Sequence, residues 1–301
     1  MYIKLTFGLL LLLMLQINLS AQSNKSSLSG IDANSESFFI ADVSFINDAV
    51  FMGRKDSISA PYIYPSFSYF DKSGFFADAS FSYLINSDEN RIDLFLLSTG
   101  FLFEWKKWHA GISGTAYFYS EDSYNVRSET VGDLSGFLTY DLSIMDVSLL
   151  ASTFFNNGSS ADIFTGLMLD KPIYSRDHSF VIDPTLAMYA GSQYFYEEYY
   201  NTSRLGNRKG QGSGSGNSQP LVTNLVEIKE ASKFQVLNIE LGLPMQYQHK
   251  HFIFSFTPVL AFPQSSATIT TEDEVITEEL ESTFYFSAGI SYWFPSKKKQ
   301  N

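Results

Sequence analysis

The stretch that most constrains this chain lies near its end. From residue 286 to 294, Phe286, Ala288, Ile290, Tyr292 and Phe294 alternate with Ser287, Gly289 and Ser291. Successive side chains of a strand point to opposite faces, so this segment has one apolar and one polar face. Such a strand suits a barrel wall in lipid, with the apolar face turned outward. Beyond residue 21, no stretch reaches the roughly 20 apolar residues of a spanning helix. A membrane reading must therefore use strands, closed on themselves so that every backbone group finds a partner.

Composition supports that reading. Aromatic residues make up 16% of the chain, led by 28 Phe and 18 Tyr, which suits aromatic girdles at two membrane interfaces. There is no cysteine, which removes disulfides, thiolate metal sites and a Cys nucleophile. The formal charge of −12 argues against nucleic acid as a partner, because that needs a basic surface. Lys4, the apolar run 5–15 and Ser20-Ala21 have the layout of a secretory signal peptide. Cleavage is expected after Ala21, and loss of Lys4 takes the charge from −12 to −13. No Cys follows the run, so no lipid anchor is expected.

Period-2 alternation and turn residues predict twelve strands, with ten or fourteen also open. They run over 37–47, 61–71, 74–86, 92–104, 108–119, 132–143, 146–156, 160–171, 178–196, 232–247, 251–263 and 282–294. The expected organisation is a signal peptide (1–21), a Ser- and Asn-rich lead-in (22–36), an all-β antiparallel up-and-down barrel (37–294) and a basic tail (295–301). Tight turns are expected at Asp71-Lys72-Ser73-Gly74, Lys106-Lys107, Ser143-Ile144-Met145 and His249-Lys250, with longer loops near 48–60, 120–131, 197–231 and 264–281. Short and long connections alternate, as they do between periplasmic turns and outer loops, and this places both termini in the periplasm. Leu237, Ile239, Leu241, Leu243 and Met245 are expected to face lipid, opposite Asn238, Glu240 and Gln246. The fourth and eighth strands are too apolar on both faces to assign. Pro184 and Pro258 are awkward inside strands, since each removes a ladder hydrogen bond.

Ser287, Gly289, Tyr292 and Phe294 also follow the order polar, any, Gly, any, any, aromatic, any, aromatic. That order resembles the C-terminal assembly signal of outer-membrane β-barrels, although here seven residues follow the last aromatic. The resemblance implies residence in the outer membrane of a Gram-negative bacterium. It also implies insertion by the barrel-assembly machinery, contact with membrane lipid and lipopolysaccharide, and a porin-like or transport role.

Asp42, Asp78, Asp133, Asp141, Asp183 and Glu240 fall on inward-facing positions, with no Lys or Arg in the same strand faces. An acidic lining favours cations, so the expected function is a channel for small solutes. Two other readings stay open: a closed barrel acting through its outer loops, and a lipid hydrolase at the rim. Against an enzyme, His109, His178, His249 and His251 map to the turn end, and no G-x-S-x-G elbow is present. No cofactor or metal is expected. His249 and His251 read as solvated turn residues, and the acidic stretch 272–281 fits no EF-hand loop. The Gly-rich stretch 210–216 lacks a phosphate-loop ending. Tyr194-Phe195-Tyr196-Glu197-Glu198-Tyr199-Tyr200, at the end of the ninth strand, reads as rim girdle or as a stacking platform for sugars.

Overall fold

A computed structural model describes residues 37–55, 60–85, 90–120, 123–157, 161–199, 227–229, 231–270 and 275–294. The expected signal peptide, lead-in and basic tail lie outside these residues, as does the Gly-rich stretch.

The first eight strands of the wall are β1 (Phe38–Ile46), β2 (Tyr62–Phe70), β3 (Phe75–Ile85), β4 (Asn90–Trp105), β5 (Trp108–Tyr119), β6 (Thr130–Asp141), β7 (Asp146–Asn156) and β8 (Ala161–Asp170). After the short β9 (Ile173–Tyr174), the ninth wall strand runs as β10 (Phe180–Ile182) and β11 (Thr185–Gly191). Helix α1 (Tyr194–Tyr199) and β12 (Glu227–Ile228) precede the tenth, made of β13 (Gln235–Gly242) and β14 (Met245–His249). The last two are β15 (Phe252–Pro263) and β18 (Thr283–Phe294), separated by β16 (Thr268–Thr270) and β17 (Val275–Thr277). Every neighbour is antiparallel, and β18 returns to β1 in register from Phe39↔Phe294 to Ile46↔Ser287. The wall is a closed twelve-stranded barrel, and β12, β16 and β17 form a separate small sheet.

The alternation read from the sequence sets the faces. Val43, Phe67, Leu97, Leu134, Leu149, Ile163, Leu241 and Ile290 are exposed on the outside. Ser68, Asp78, Ser98, Thr115, Ser135, Thr139, Ser148 and Ser287 are buried inside. At the end carrying the short turns, Phe103, Trp105 and Trp108 are exposed outward, and Trp108 packs on Tyr140 with ring centroids 4.6 Å apart. Gly289 faces inward, where an added Cβ would lie 2.9 Å from Ser255 Oγ and 3.5 Å from Asp42 Oδ2. A small residue in that slot of the final strand is what leaves room for the Asp42 carboxylate.

The awkward prolines mark one seam. β10 pairs with β14, and β11 with β13. Between them Asp183-Pro184 lies against Leu243-Pro244, with Asp183 N–H donating to the Pro244 carbonyl (2.9 Å). Pro258 continues the seam in β15, its carbonyl accepting from Leu243 N–H at 3.1 Å. Proline has no N–H to give, so the ninth and tenth wall strands are interrupted side by side at Pro184 and Pro244, while β15 runs on through Pro258.

Bulges explain two faces that alternation missed. In β4, Ser82 pairs with Leu94 while Tyr83 pairs with Ile92, leaving Asp93 as the extra residue. Asp93 and Leu94 are both buried. Between β11 and β13, Tyr189 pairs with Asn238 but Ala190 with Val236. Leu237, expected to face lipid, is the extra residue there and is fully buried; the bulge turns it inward. The fourth and eighth strands resist assignment because the interior is itself partly apolar, with Leu94, Leu96, Phe164 and Met168 all buried inside. The ninth strand ends at Gly191, and the expected strand end 194–196 is instead the start of α1.

Leu241, outward and 49% exposed, tests the facing. Leu241→Arg should cost about 2–4 kcal/mol at mid-membrane and reduce the folded, heat-modifiable fraction on a gel. Glu240→Gln, one residue away but facing inward, should leave that fraction unchanged; the reverse pattern would mean the faces are exchanged.

Candidate functional site

The interior is the candidate site. Its middle is lined by hydroxyls and carboxylates in close pairs. Ser68 Oγ donates to Asp78 (2.6 Å), Ser291 Oγ to Asp42 (2.7 Å) and Asn238 Nδ2 to Glu240 (2.8 Å), which also accepts from Tyr285 OH. Asp133 accepts from Tyr117 OH (2.7 Å) and from Ser135 Oγ. Asp141 lies at the turn end of β6 and accepts from Ser143 N–H. Asp183 is buried on the proline seam. All six acidic residues expected in the lumen lie inside or on the inward rim of the wall, five of them buried and Asp42 half-buried. Asp93, Asp162 and Asp170 join them from inward positions.

The end carrying the long connections is filled by the loops themselves. Residues 48–54 form a two-residue hairpin tip, with Phe51 and Arg54 exchanging backbone hydrogen bonds of 2.8 and 2.9 Å. Met52 and Gly53 both have positive φ, 50° and 76°, the pairing that a type I′ turn requires. A side chain at Gly53 would lie 2.9 Å from Asn238 Oδ1, so the tip passes close against the wall. Phe51 is 1% exposed, with edge-on contacts to the rings of Phe154, Phe164 and Phe195.

A second loop, residues 123–129, brings Arg127 into the same space. Its guanidinium lies over the rings of Phe154 (4.3 Å), Phe51 (4.6 Å) and Tyr117 (4.8 Å), and the residue is 1% exposed. Ser123 Oγ ties this loop to Asp93 (2.6 Å), which also accepts from Tyr62 OH (2.6 Å) and pairs with Arg91 (3.1 Å).

Two further contacts close the group. Asp162 accepts from Ser192 Oγ and from the N–H groups of Tyr194 and Phe195, satisfying the first turn of α1. Glu278 accepts from Arg54 Nε and Nη2 (3.1 and 3.0 Å), Tyr196 OH (3.1 Å) and Ala267 N–H (3.0 Å). One carboxylate thus clasps the 48–54 tip, α1 and the 264–282 connection together. Phe195 and Tyr196 are buried in this assembly, so these two rings offer no open sugar platform.

The strand faces expected to lack basic residues do so, but Arg91 points inward at the loop end of β4, opposite the buried Leu84 and over the Tyr124 ring, and Arg54 and Arg127 enter from loops. Alternation reports only which way a strand residue points; nothing in it says that a loop folds back inside. The histidines lie at the turn end, where His109 pairs with Glu104 at 3.5 Å and His251 packs on Trp293. Ser287 and Gly289 of the expected assembly signal face inward, and Tyr292 and Phe294 outward.

A closed antiparallel wall with an exposed apolar belt and a polar interior decides the architecture. This chain is a β-barrel of the outer-membrane type. No family model and no curated protein matches the sequence. Among solved structures it is similar to the KdgM porin, with 8% identity over 85% of this chain and 99% of that one and a TM-score of 0.46. The NanC porin aligns at 9% identity over 84% and 98%, TM-score 0.44. LpxR from Salmonella typhimurium aligns at 8% identity over 85% and 100%, TM-score 0.44. At this degree of likeness no solute or chemistry transfers from them.

Phe51 anchors the loop-end assembly. Phe51→Ala should destabilise it by about 3–5 kcal/mol, seen as earlier proteolytic nicking of the 48–61 connection in urea while the wall strands keep their β-sheet circular dichroism.

Proposed function

We propose that the protein is a porin-like outer-membrane channel for small solutes, shut at its loop end by its own loops. The observation that carries this is the interior itself. Hydroxyls and carboxylates line its middle, among buried apolar side chains that extend toward both ends, and it ends under a plug built from connections instead of wall. A barrel meant only as a scaffold has no need for so many polar groups, each requiring its own buried partner. On this proposal the turn end and both termini face the periplasm and the loop end faces outside, in keeping with short turns at one end and long connections at the other. Assembly by the barrel machinery, with lipid and lipopolysaccharide around the belt, belongs to the same proposal. In the opened form, Asp42, Asp78, Asp133, Asp141, Asp183 and Glu240 would favour cations, because Arg54 is matched by Glu278 and Arg91 by Asp93. We read no enzymatic role, since the histidines lie at the turn end, away from the loop-end cluster.

A second reading has its own support: most inward side chains of the wall are buried, as in a closed barrel that works through its outer loops. The clasp separates the two. Wild-type protein in a planar bilayer should pass little current. Arg54→Gln, which removes the bidentate pair with Glu278, should raise the frequency of discrete openings at least about tenfold, the equivalent of 1.4 kcal/mol, with a cation-selective reversal potential in a salt gradient. A folded, heat-modifiable Arg54→Gln barrel that stays silent would leave the closed-barrel reading standing.

A further inference from the structure

The surroundings of Arg127 are unusual for a buried guanidinium. Buried arginines are held mostly by carboxylates through forked hydrogen bonds. Here Nε, Nη1 and Nη2 are all buried, and none makes a hydrogen bond of normal geometry among the described residues. The charge is held instead by ring faces at 4.3–4.8 Å. Two of those rings belong to the wall. Tyr117 stands on β5 and Phe154 on β7, and between them on β6 is Asp133, directly opposite Phe154 in the ladder. Tyr117 OH donates to that carboxylate (2.7 Å), which fixes the ring's orientation. Tyr119 stacks on Tyr117, with ring centroids 6.0 Å apart and an interplanar angle of 3°.

The wall therefore supplies a cation cage, two rings and a nearby carboxylate on three adjacent strands, around the guanidinium that the loop brings in. Ring faces attract delocalised, weakly hydrated cations, and guanidinium and quaternary ammonium groups are the ones that proteins recognise in this way. We propose that Arg127 is a built-in stand-in for a cationic solute, and that the Tyr117–Phe154–Asp133 cage takes the guanidinium or quaternary ammonium group of that solute when the 123–129 loop withdraws. This rests on the channel reading for its purpose but not for its test. The same cage that helps hold the plug would make solute and plug compete, so cationic solutes would favour the open form.

Binding can be measured without current. Guanidinium and tetramethylammonium chlorides at millimolar concentration, titrated calorimetrically into folded protein in detergent, should give no heat of binding with the wild type. Arg127→Ala should bind them, and adding Phe154→Leu should weaken that binding about fivefold or more, the scale of one ring's contribution. A folded Arg127→Ala barrel that binds neither cation, or binds them equally with Phe154→Leu, overturns the proposal. Should Arg127→Ala not fold, Val126→Cys serves instead, since the chain has no other cysteine and Val126 is 1% exposed. Tetramethylammonium should speed maleimide labelling at that site several-fold over sodium chloride of equal ionic strength; equal rates overturn the proposal. Binding in a barrel that never conducts would sink the channel reading alone. Conduction without binding would sink the cage alone.

Discussion

Backbone hydrogen bonding is the interaction on which the rest depends. In hydrocarbon an unpaired N–H or C=O has no water to turn to, so a strand wall must close. The β1–β18 ladder does this through eight paired positions, Phe39↔Phe294 to Ile46↔Ser287. Closure in turn dictates the amphipathic alternation of the wall. It also bears on Pro184 and Pro244, which lie side by side where the ninth and tenth wall strands are interrupted.

Closure creates an inside, and filling it is the second problem. Seryl and threonyl hydroxyls are paired with carboxylates across the middle of the barrel, which satisfies acceptors that would otherwise be costly to bury. Towards the loop end the filling changes to phenylalanine rings and two loop arginines. Glu278 and Asp162 are the polar anchors there, one joining three connections and the other capping α1. The plug is thus held by a few identifiable contacts and not by a continuous ladder like the wall.

Much of the wall was legible. The strands expected at 108–119 and 146–156 coincide with β5 and β7, because a tight turn opens each and their alternation is uninterrupted. The inward acids were legible for the same reason: parity along a strand is a local property. Leu237 failed where parity failed, at a bulge that adds one residue to one strand only. Tyr194-Phe195-Tyr196 failed because strand and helix both accept aromatic residues, and what decides between them is the distant cap from Asp162 on β8.

By itself, the sequence determined a barrel of about twelve strands, its tight turns and the faces of its regularly alternating strands, since each follows from period-2 alternation and short-range turn chemistry; closure of the ladder fixed the number at twelve. Only the tertiary structure decided the contents of the lumen. Arg127 meets Phe51 and Phe154, and Arg54 meets Glu278 across 224 positions of chain. Contacts at such separations come from where closed strands carry their loops, and no local pattern of residues records them.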